Sequence, residues 1–273
     1  MAVIAMMMTI SASAQFYIYY SDGTVAKVDS ISMVAPEESE QPNPSAGIGV
    51  FSVSATKQVT FSPGNLQYHP MNDEWRFAEN QWNYIGEANS NISEDYNGWI
   101  DMFFWGRGDN PMNNSTDYDD FTEFVDWGGN RIGKDKENVW RTLSAAEWDY
   151  LLFGRNNADS LRFRTKVCEV YGLVLLPDNM NEDELVKSYA QLSNITLDQW
   201  IIIEKLGAVF LPASGKATGY IYMHDVGMGG YYWSSTKHVD YGAKCVWFSN
   251  NSTLSVLYNY LYYQQSVRLV KDL

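Results

Sequence analysis

Residues Trp140 to Leu152 read WRTLSAAEWDYLL, the pattern of a short, capped helix. Ser144 stands three residues before Glu147, the spacing at which the two side chains satisfy each other's free backbone N–H groups. Trp148, Leu151 and Leu152 then form an i, i+3, i+4 stripe, and Gly154 closes it. The device recurs downstream. Thr196 and Gln199 precede Trp200, Ile201, Ile203 and Leu206, and Gly207 is the stop. Each helix is followed by a short apolar run ending in proline, Gly172 to Pro177 (GLVLLP) and Gly207 to Pro212 (GAVFLP), which suits buried strands. Asn179 to Leu192, between them, is acidic and weakly periodic: a loop or a marginal helix.

Outward from these helices, Phe51 to Phe61 alternates as a strand pair does, and Ser62-Pro63-Gly64 breaks the pattern before Leu66 and Tyr68. From Gly229 the chain reads GGYYWSST, a strand; Ala243 to Phe248 is a second and Ser266 to Val270 (SVRLV) a third. Ten tryptophans and nineteen tyrosines, interleaved with Gly, Asn, Ser and Asp, indicate many strands and loops. The expected class is α+β with irregular connections, in a main domain at 48–273. Ahead of it, 34–47 carries PEESEQPNPSAG, an acidic linker rich in Pro and Ser. Residues 15–33 form a small β-hairpin around the turn signal Asp22-Gly23. The opening MAVIAMMMTISASAQ ends in small residues at Ser13 and Ala14, so 1–14 reads as a secretory signal leaving Gln15 as the new N-terminus. The chain is therefore expected to be exported, to the cell surface or beyond. No later apolar run of about 18 residues marks a membrane span.

Of 273 residues, 45% are apolar and 15% aromatic, enough for a real core. A formal net charge of −14 with no basic cluster opposes binding to a phosphate backbone, so nucleic acid is not an expected partner. Cys168 and Cys245 supply neither a disulfide framework nor four zinc ligands. His69, His224 and His238 lack any metal-ligand or nucleophile-base spacing. Asp117, Asp119, Asp120 and Asp126 crowd one segment, but without the Gly and bidentate Glu of a calcium loop they read as solvated. No catalytic residue, metal site or cofactor is expected.

The ordered set FSPGNLQY (from Phe61), WRTLSAAEWDYLL, GLVLLPD, GAVFLPASG, GYYWSST and SVRLV resembles the C-type-lectin-fold proteins of gut Bacteroidetes, across nearly all of 48–273. Members include the variable proteins of diversity-generating retroelements, whose 3′ coding end is overwritten by reverse transcription with errors at adenines. The resemblance implies a C-type-lectin-type fold, and it makes the stretch before SVRLV a diversified ligand-binding surface. Adenine-directed errors in asparagine codons never produce Lys, Gln, Trp, Glu or Met. Every residue of Ser249 to Tyr263 (SNNSTLSVLYNYLYY) is reachable, whereas Lys244, Trp247, Gln264 and Gln265 are not.

Leu257, Tyr258, Tyr260, Leu261, Tyr262 and Tyr263 show neither helical nor strand periodicity, so several must face solvent. Exposed tyrosines give stiff, amphipathic contact area at low entropy cost. The alternative is that they plug an irregular core, as Trp75, Trp82, Trp99 and Trp105 are expected to do. Within Ala243 to Phe248, Val246 and Phe248 share the expected core face, which turns Cys245 and Trp247 outward and argues against a Cys168–Cys245 disulfide. The candidate ligand-binding set is His238, Asp240, Tyr241, Cys245, Trp247, Leu257, Tyr258, Asn259, Tyr260, Tyr262, Tyr263 and Gln265, facing a protein or glycan at the cell exterior. Two other readings stand beside it: a structural or fimbrial surface subunit, and a formylglycine-generating-type oxidoreductase, which shares the lectin-type fold but needs copper-binding cysteines.

Overall fold

A computed structural model describes residues 16–19, 25–28, 48–91, 95–112, 115–180, 184–218, 222–251 and 254–273. The expected signal at 1–14, the Asp22-Gly23 turn and the expected linker at 34–47 lie outside the described residues. The chain divides into two units, Met1–Gln41 and Pro42–Leu273. In the first, β1 (Phe16–Tyr19) and β2 (Val25–Val28) pair antiparallel, Phe16 opposite Val28 and Tyr19 opposite Val25.

The second unit is mixed α+β, with short helices and several small, mostly antiparallel sheets. It opens with β3 (Phe51–Ser52) and β4 (Gln58–Phe61), the expected strand pair, with Phe51 opposite Val59. β5 (Leu66–His69) and β6 (Glu74–Phe77) form a hairpin, and β7 (Phe103–Phe104) follows a long irregular connection.

α1 (Ala145–Asp149) has both halves of its capping box. Glu147 N–H donates to Ser144 Oγ at 3.2 Å, and Ser144 N–H to Glu147 Oε2 at 2.8 Å. The chain winds on through a wider π turn, Tyr150–Gly154, which buries Leu151 and Leu152 with Trp148. Next come β8 (Arg162–Val167) and β9 (Val170–Leu175), joined by a tight turn in which Cys168 and Glu169 take φ of 49° and 68°. In the weakly periodic acidic stretch, α2 (Glu184–Tyr189) does form. β10 (Asn194–Ile195) follows, then α3 (Leu197–Lys205), capped as expected by Thr196 and Gln199. Trp200 and Ile203 of α3 are buried, but Leu206 is 45% exposed. It occupies the cap position, off the helical stripe, because Gly207 (φ +95°) reverses the chain.

β11 (Val209–Pro212) pairs antiparallel with β9, Val209 opposite Leu175, in the sheet β10-β8-β9-β11. The C-terminal third contributes β12 (Lys216–Thr218), β13 (Tyr222–His224), β14 (Gly229–Val239), β15 (Gly242–Ser249), β16 (Leu254–Tyr260), β17 (Tyr263–Gln265) and β18 (Val270–Asp272). They form the sheets β13-β12-β17-β7 and β14-β15-β16, while β18 joins β4 and β3.

Ser266 to Leu269 is not the expected strand. It threads between sheets and spends its backbone groups on several partners. Ser266 N–H donates to Tyr231 O and Trp233 N–H to Ser266 O, both at 3.1 Å; Leu66 N–H donates to Val267 O at 3.0 Å and Ser62 N–H to Leu269 O at 2.9 Å. All four residues are buried, Arg268 among them. The Arg268 guanidinium donates to Gln81 Oε1 at 2.5 Å and to Phe210 O at 3.3 Å, and burial lowers its pKa to about 10.

β14-β15-β16 is apolar on both faces. Tyr232, Val246 and Phe248 join α1 in one core with Leu173, Leu175 and Leu211. Trp233, Ala243 and Cys245 join a second with Trp105, Trp127, Phe103 and Leu261. A third core packs Trp200 and Ile203 of α3 against Phe210 and Val174. Among the described residues no helix is long and apolar enough to cross a membrane.

Candidate ligand-binding surface

Leu254 to Tyr260, which includes the first half of the Leu257 to Tyr263 stretch expected to lack periodicity, is a seven-residue strand. It pairs in full register with β15, from Phe248 opposite Leu254 to Gly242 opposite Tyr260. It is also the outer strand of its sheet. The strand period explains its burial. Leu254 and Val256 pack on the first core, and Leu257 packs on the second from the other face. Past Val256 the cover ends, so Tyr258 and Tyr260 emerge 46% and 39% exposed. Asn259, half-buried, donates its amide to Cys245 Sγ at 3.5 Å.

From Tyr260 an aromatic cluster spreads across three segments. Its ring lies 5.4 Å from Tyr262 in a stacked arrangement, 5.3 Å from Tyr263 edge-on and 6.0 Å from Tyr241. Tyr118, delivered by a short 3-10 turn (Tyr118–Phe121), closes the cluster at 6.0 Å from Tyr241 and 5.7 Å from Tyr262. At the rim, His238 lies 5.0 Å from Tyr258, and Asp240 is exposed beside Tyr241. Desolvation, with help from Tyr118, holds the Tyr262 phenol up at about 12, so this hydroxyl stays neutral at physiological pH.

The edge of the cluster carries a cation. Lys216 Nζ sits 4.9 Å from the Tyr263 ring centroid and 4.6 Å from that of Tyr231. Tyr231 in turn stacks on half-buried Trp247 at 6.3 Å. Burial lowers the Lys216 pKa, and among the described residues no carboxylate oxygen lies within 4 Å of its ammonium. Tyr118 and Lys216 are therefore parts of the surface that sequence reasoning missed, and Tyr231, itself buried, backs Lys216 from below. Tyr118 lay within the acidic segment read only for calcium, and the other two lie on strands whose neighbours only folding specifies.

Two members of the expected set are not surface residues. Cys245 is fully buried, not outward, because the sheet is covered on both faces and its second face carries Cys245 and Ala243 into the core with Trp233. Burial pushes its thiol up to about 12, so it stays protonated. Gln265 is also fully buried: β17 is flanked by β12 and β7, and the side chain sits under the tyrosines against Cys245. Leu261, between the tyrosines, is core as well. His238, Asp240, Tyr241, Trp247, Leu257, Tyr258, Asn259, Tyr260, Tyr262 and Tyr263 remain exposed or half-buried.

Cys168 and Cys245 are both free thiols, packed on different cores. In the acidic segment, Asp117 and Asp126 are engaged by nearby groups of the chain. Asp117 accepts from Asp119 N–H at 3.1 Å. Asp126 accepts from Gly128 N–H at 3.0 Å, from Thr142 N–H at 2.9 Å and from the Thr142 hydroxyl at 2.8 Å. Among the described residues, no three His, Cys, Asp or Glu side chains are grouped to hold a metal ion. No family model, curated protein or solved structure matches the chain.

Proposed function

We propose that this chain is an exported binding protein of C-type-lectin type, belonging with the variable proteins of diversity-generating retroelements, and that its tyrosine surface takes a protein or glycan ligand at the cell exterior without catalysis or cofactor. The observation that carries the reading is the cluster of Tyr118, Tyr241, Tyr260, Tyr262 and Tyr263, gathered from three segments at the edge of a sheet buried on both faces. Tyrosine offers a large ring and a hydroxyl at the entropy cost of two side-chain torsions, and a rigid backing keeps the rings from collapsing inward. Replacement there leaves the scaffold intact, because the fold rests on residues beneath.

The coding logic agrees with this division. The reachable stretch, Ser249 to Tyr263, coincides with β16 and its flanks. Of the unreachable residues, Gln264 and Gln265 are buried and Lys244 and Trp247 half-buried. The test is the DNA of the gene's 3′ end. A nearby imperfect repeat, differing only at adenines and beside a reverse-transcriptase gene, is the expected result and names the variable residues directly. No repeat would remove diversification from the reading.

One observation favours a second reading, a structural surface subunit. β16 is an outer strand, and its free edge is a template for strand addition by another chain. Concentration-dependent assembly in sedimentation, lost when a proline replaces Val256, would support the subunit; a monomer at all concentrations would exclude it.

A further inference from the structure

Lys216 brings a positive charge to the tyrosine cluster from outside it. Its strand, β12, lies between β13 and β17, with Lys216 opposite His224 and Thr218 opposite Tyr263. Side chains two apart on a strand share a face, so Lys216 and Thr218 project on the side that carries Tyr263. The sheet fixes where the lysine stem starts. The Tyr231 ring below and the Tyr263 ring beside it fix where the ammonium ends, 4.6 and 4.9 Å from their centroids.

The charge is held, but its donors are not spent. An ammonium carries three N–H donors. Lys216 is only half-buried and its ammonium reaches solvent. Among the described residues no acceptor lies within hydrogen-bond distance of it, and no carboxylate oxygen within 4 Å. Asp225, the carboxylate whose charge is felt there, takes the Tyr231 hydroxyl at 2.5 Å instead. Gln265, one register step past the Ala217–Gln264 pair and so across from Lys216, has an Oε1 without a hydrogen-bond partner. Burial against the rings outweighs Asp225 and lowers the Lys216 pKa, which means that the protein has not replaced the hydration this ammonium lost. Folding alone does not call for a charge here, because an unbranched apolar side chain would cover both rings without that cost.

An anion at contact supplies what the ammonium lacks. The chain's net charge of −14 acts weakly beyond about 8–10 Å at physiological salt, so the local cation decides what is held against the surface. The rings indicate which carrier suits. Holding a sugar by its apolar face needs an open aromatic face, but Tyr260 and Tyr262 stack on each other, both meet Tyr263 edge-on, and Tyr231 stacks on Trp247. Rings that spend their faces on one another offer edges and hydroxyls, which suit peptide groups and side chains.

We propose that Lys216 is the charge-selecting residue of the tyrosine surface, and that a protein ligand places an Asp or Glu side chain on its ammonium. This rests on the reading of the cluster as a binding surface. Lys216 lies outside the reachable stretch Ser249 to Tyr263, so the preference for acid stays fixed while the tyrosines around it change.

The test is selection of a random-peptide display library on the full wild-type chain, on Lys216→Met and on Lys216→Arg, with melting curves confirming that each variant is folded. Lys216→Met keeps an apolar stem on the rings and removes the charge. Wild type should enrich Asp and Glu about twofold or more over the unselected library, Lys216→Arg should keep that bias and Lys216→Met should lose it. The selected acidic peptides should bind Lys216→Met about tenfold more weakly than wild type. Three outcomes would overturn the proposal: no enrichment, enrichment without acidic bias, or an acidic bias that survives in Lys216→Met. Binding of uronic-acid oligosaccharides in a parallel titration, with no peptide selected, would overturn the choice of a protein ligand. A Tyr262→Ala arm separates this proposal from the surface reading. Unbiased peptides that are lost in Tyr262→Ala would remove the role of Lys216 and leave the surface standing, whereas acidic peptides indifferent to Tyr262→Ala would overturn both.

Discussion

Asn259 reaches down from β16 to hydrogen-bond the buried Cys245 thiol at 3.5 Å, while its neighbours Tyr258 and Tyr260 project from the opposite face of the same strand into solvent. One strand thus carries both the anchor and the display. Its inner residues pack into the fold, and its outer ones are open to solvent.

Tyr258→Ala should therefore leave the thermal midpoint within about 2 °C of wild type, as exposed substitutions generally do. Leu261→Ala, a few residues away but fully buried in the second core, should cost about 2–5 kcal/mol, a fall of roughly 4–20 °C at this size. Paired melting curves check both. Equal losses would mean that Tyr258 is a core residue.

Thiol titration should separate the two cysteines. Burial raises both thiols, Cys245 to about 12 and fully enclosed, whereas Cys168 sits half-buried in the turn between β8 and β9. A disulfide reagent at pH 8 should label Cys168 slowly in the native protein and Cys245 only after denaturation. Rapid double labelling of native protein would contradict the enclosed position of Cys245.

Asp101 should leave a signature in stability against pH. Burial raises its carboxyl from 3.8 to about 6 against the opposing hydrogen bonds from the Asn89 side chain and Ile85 N–H. The folded state therefore binds this proton more tightly than the unfolded state. Its contribution is complete below pH 4 and is lost as pH rises through 6. At about 1.4 kcal/mol per unit, wild type should lose up to about 3 kcal/mol relative to Asp101→Asn between pH 4 and pH 7. Urea midpoints across that range decide it, and parallel curves would refute the buried charge.

Gly207→Ala should destabilise the domain by about 2 kcal/mol or more, since an L-residue is strained at positive φ. The added Cβ would also stand 2.5 Å from the Gly49 Cα. Chemical denaturation of the purified variant measures this, and an unchanged midpoint would mean that α3 can end in another conformation.

Much of the scaffold is local physics and was legible in the residues. Both capping boxes, the proline-ended strands at GLVLLP and GAVFLP, and the pairing of Phe51 with the strand ending at Phe61 depend on neighbours within a few positions. The tyrosine segment was harder. Leu254 to Tyr260 lacks alternation because both of its faces are partly covered, one by each core, so a real strand shows no period of two. SVRLV misled in the opposite way: its apolar content reflects burial between sheets, and burial alone does not make a ladder.

By itself, then, the sequence determined the caps, the turns, the apolar runs and the concentration of tyrosines near the C-terminus, because propensity and hydrogen bonding over short range settle those. Only the tertiary structure decided that Cys245 and Gln265 lie beneath the surface while Tyr118 and Lys216 join it. Tyr118 and Tyr262 are 144 positions apart and meet through packing between distant segments. The side of a sheet that water reaches depends on what covers it, and that cover comes from elsewhere in the chain.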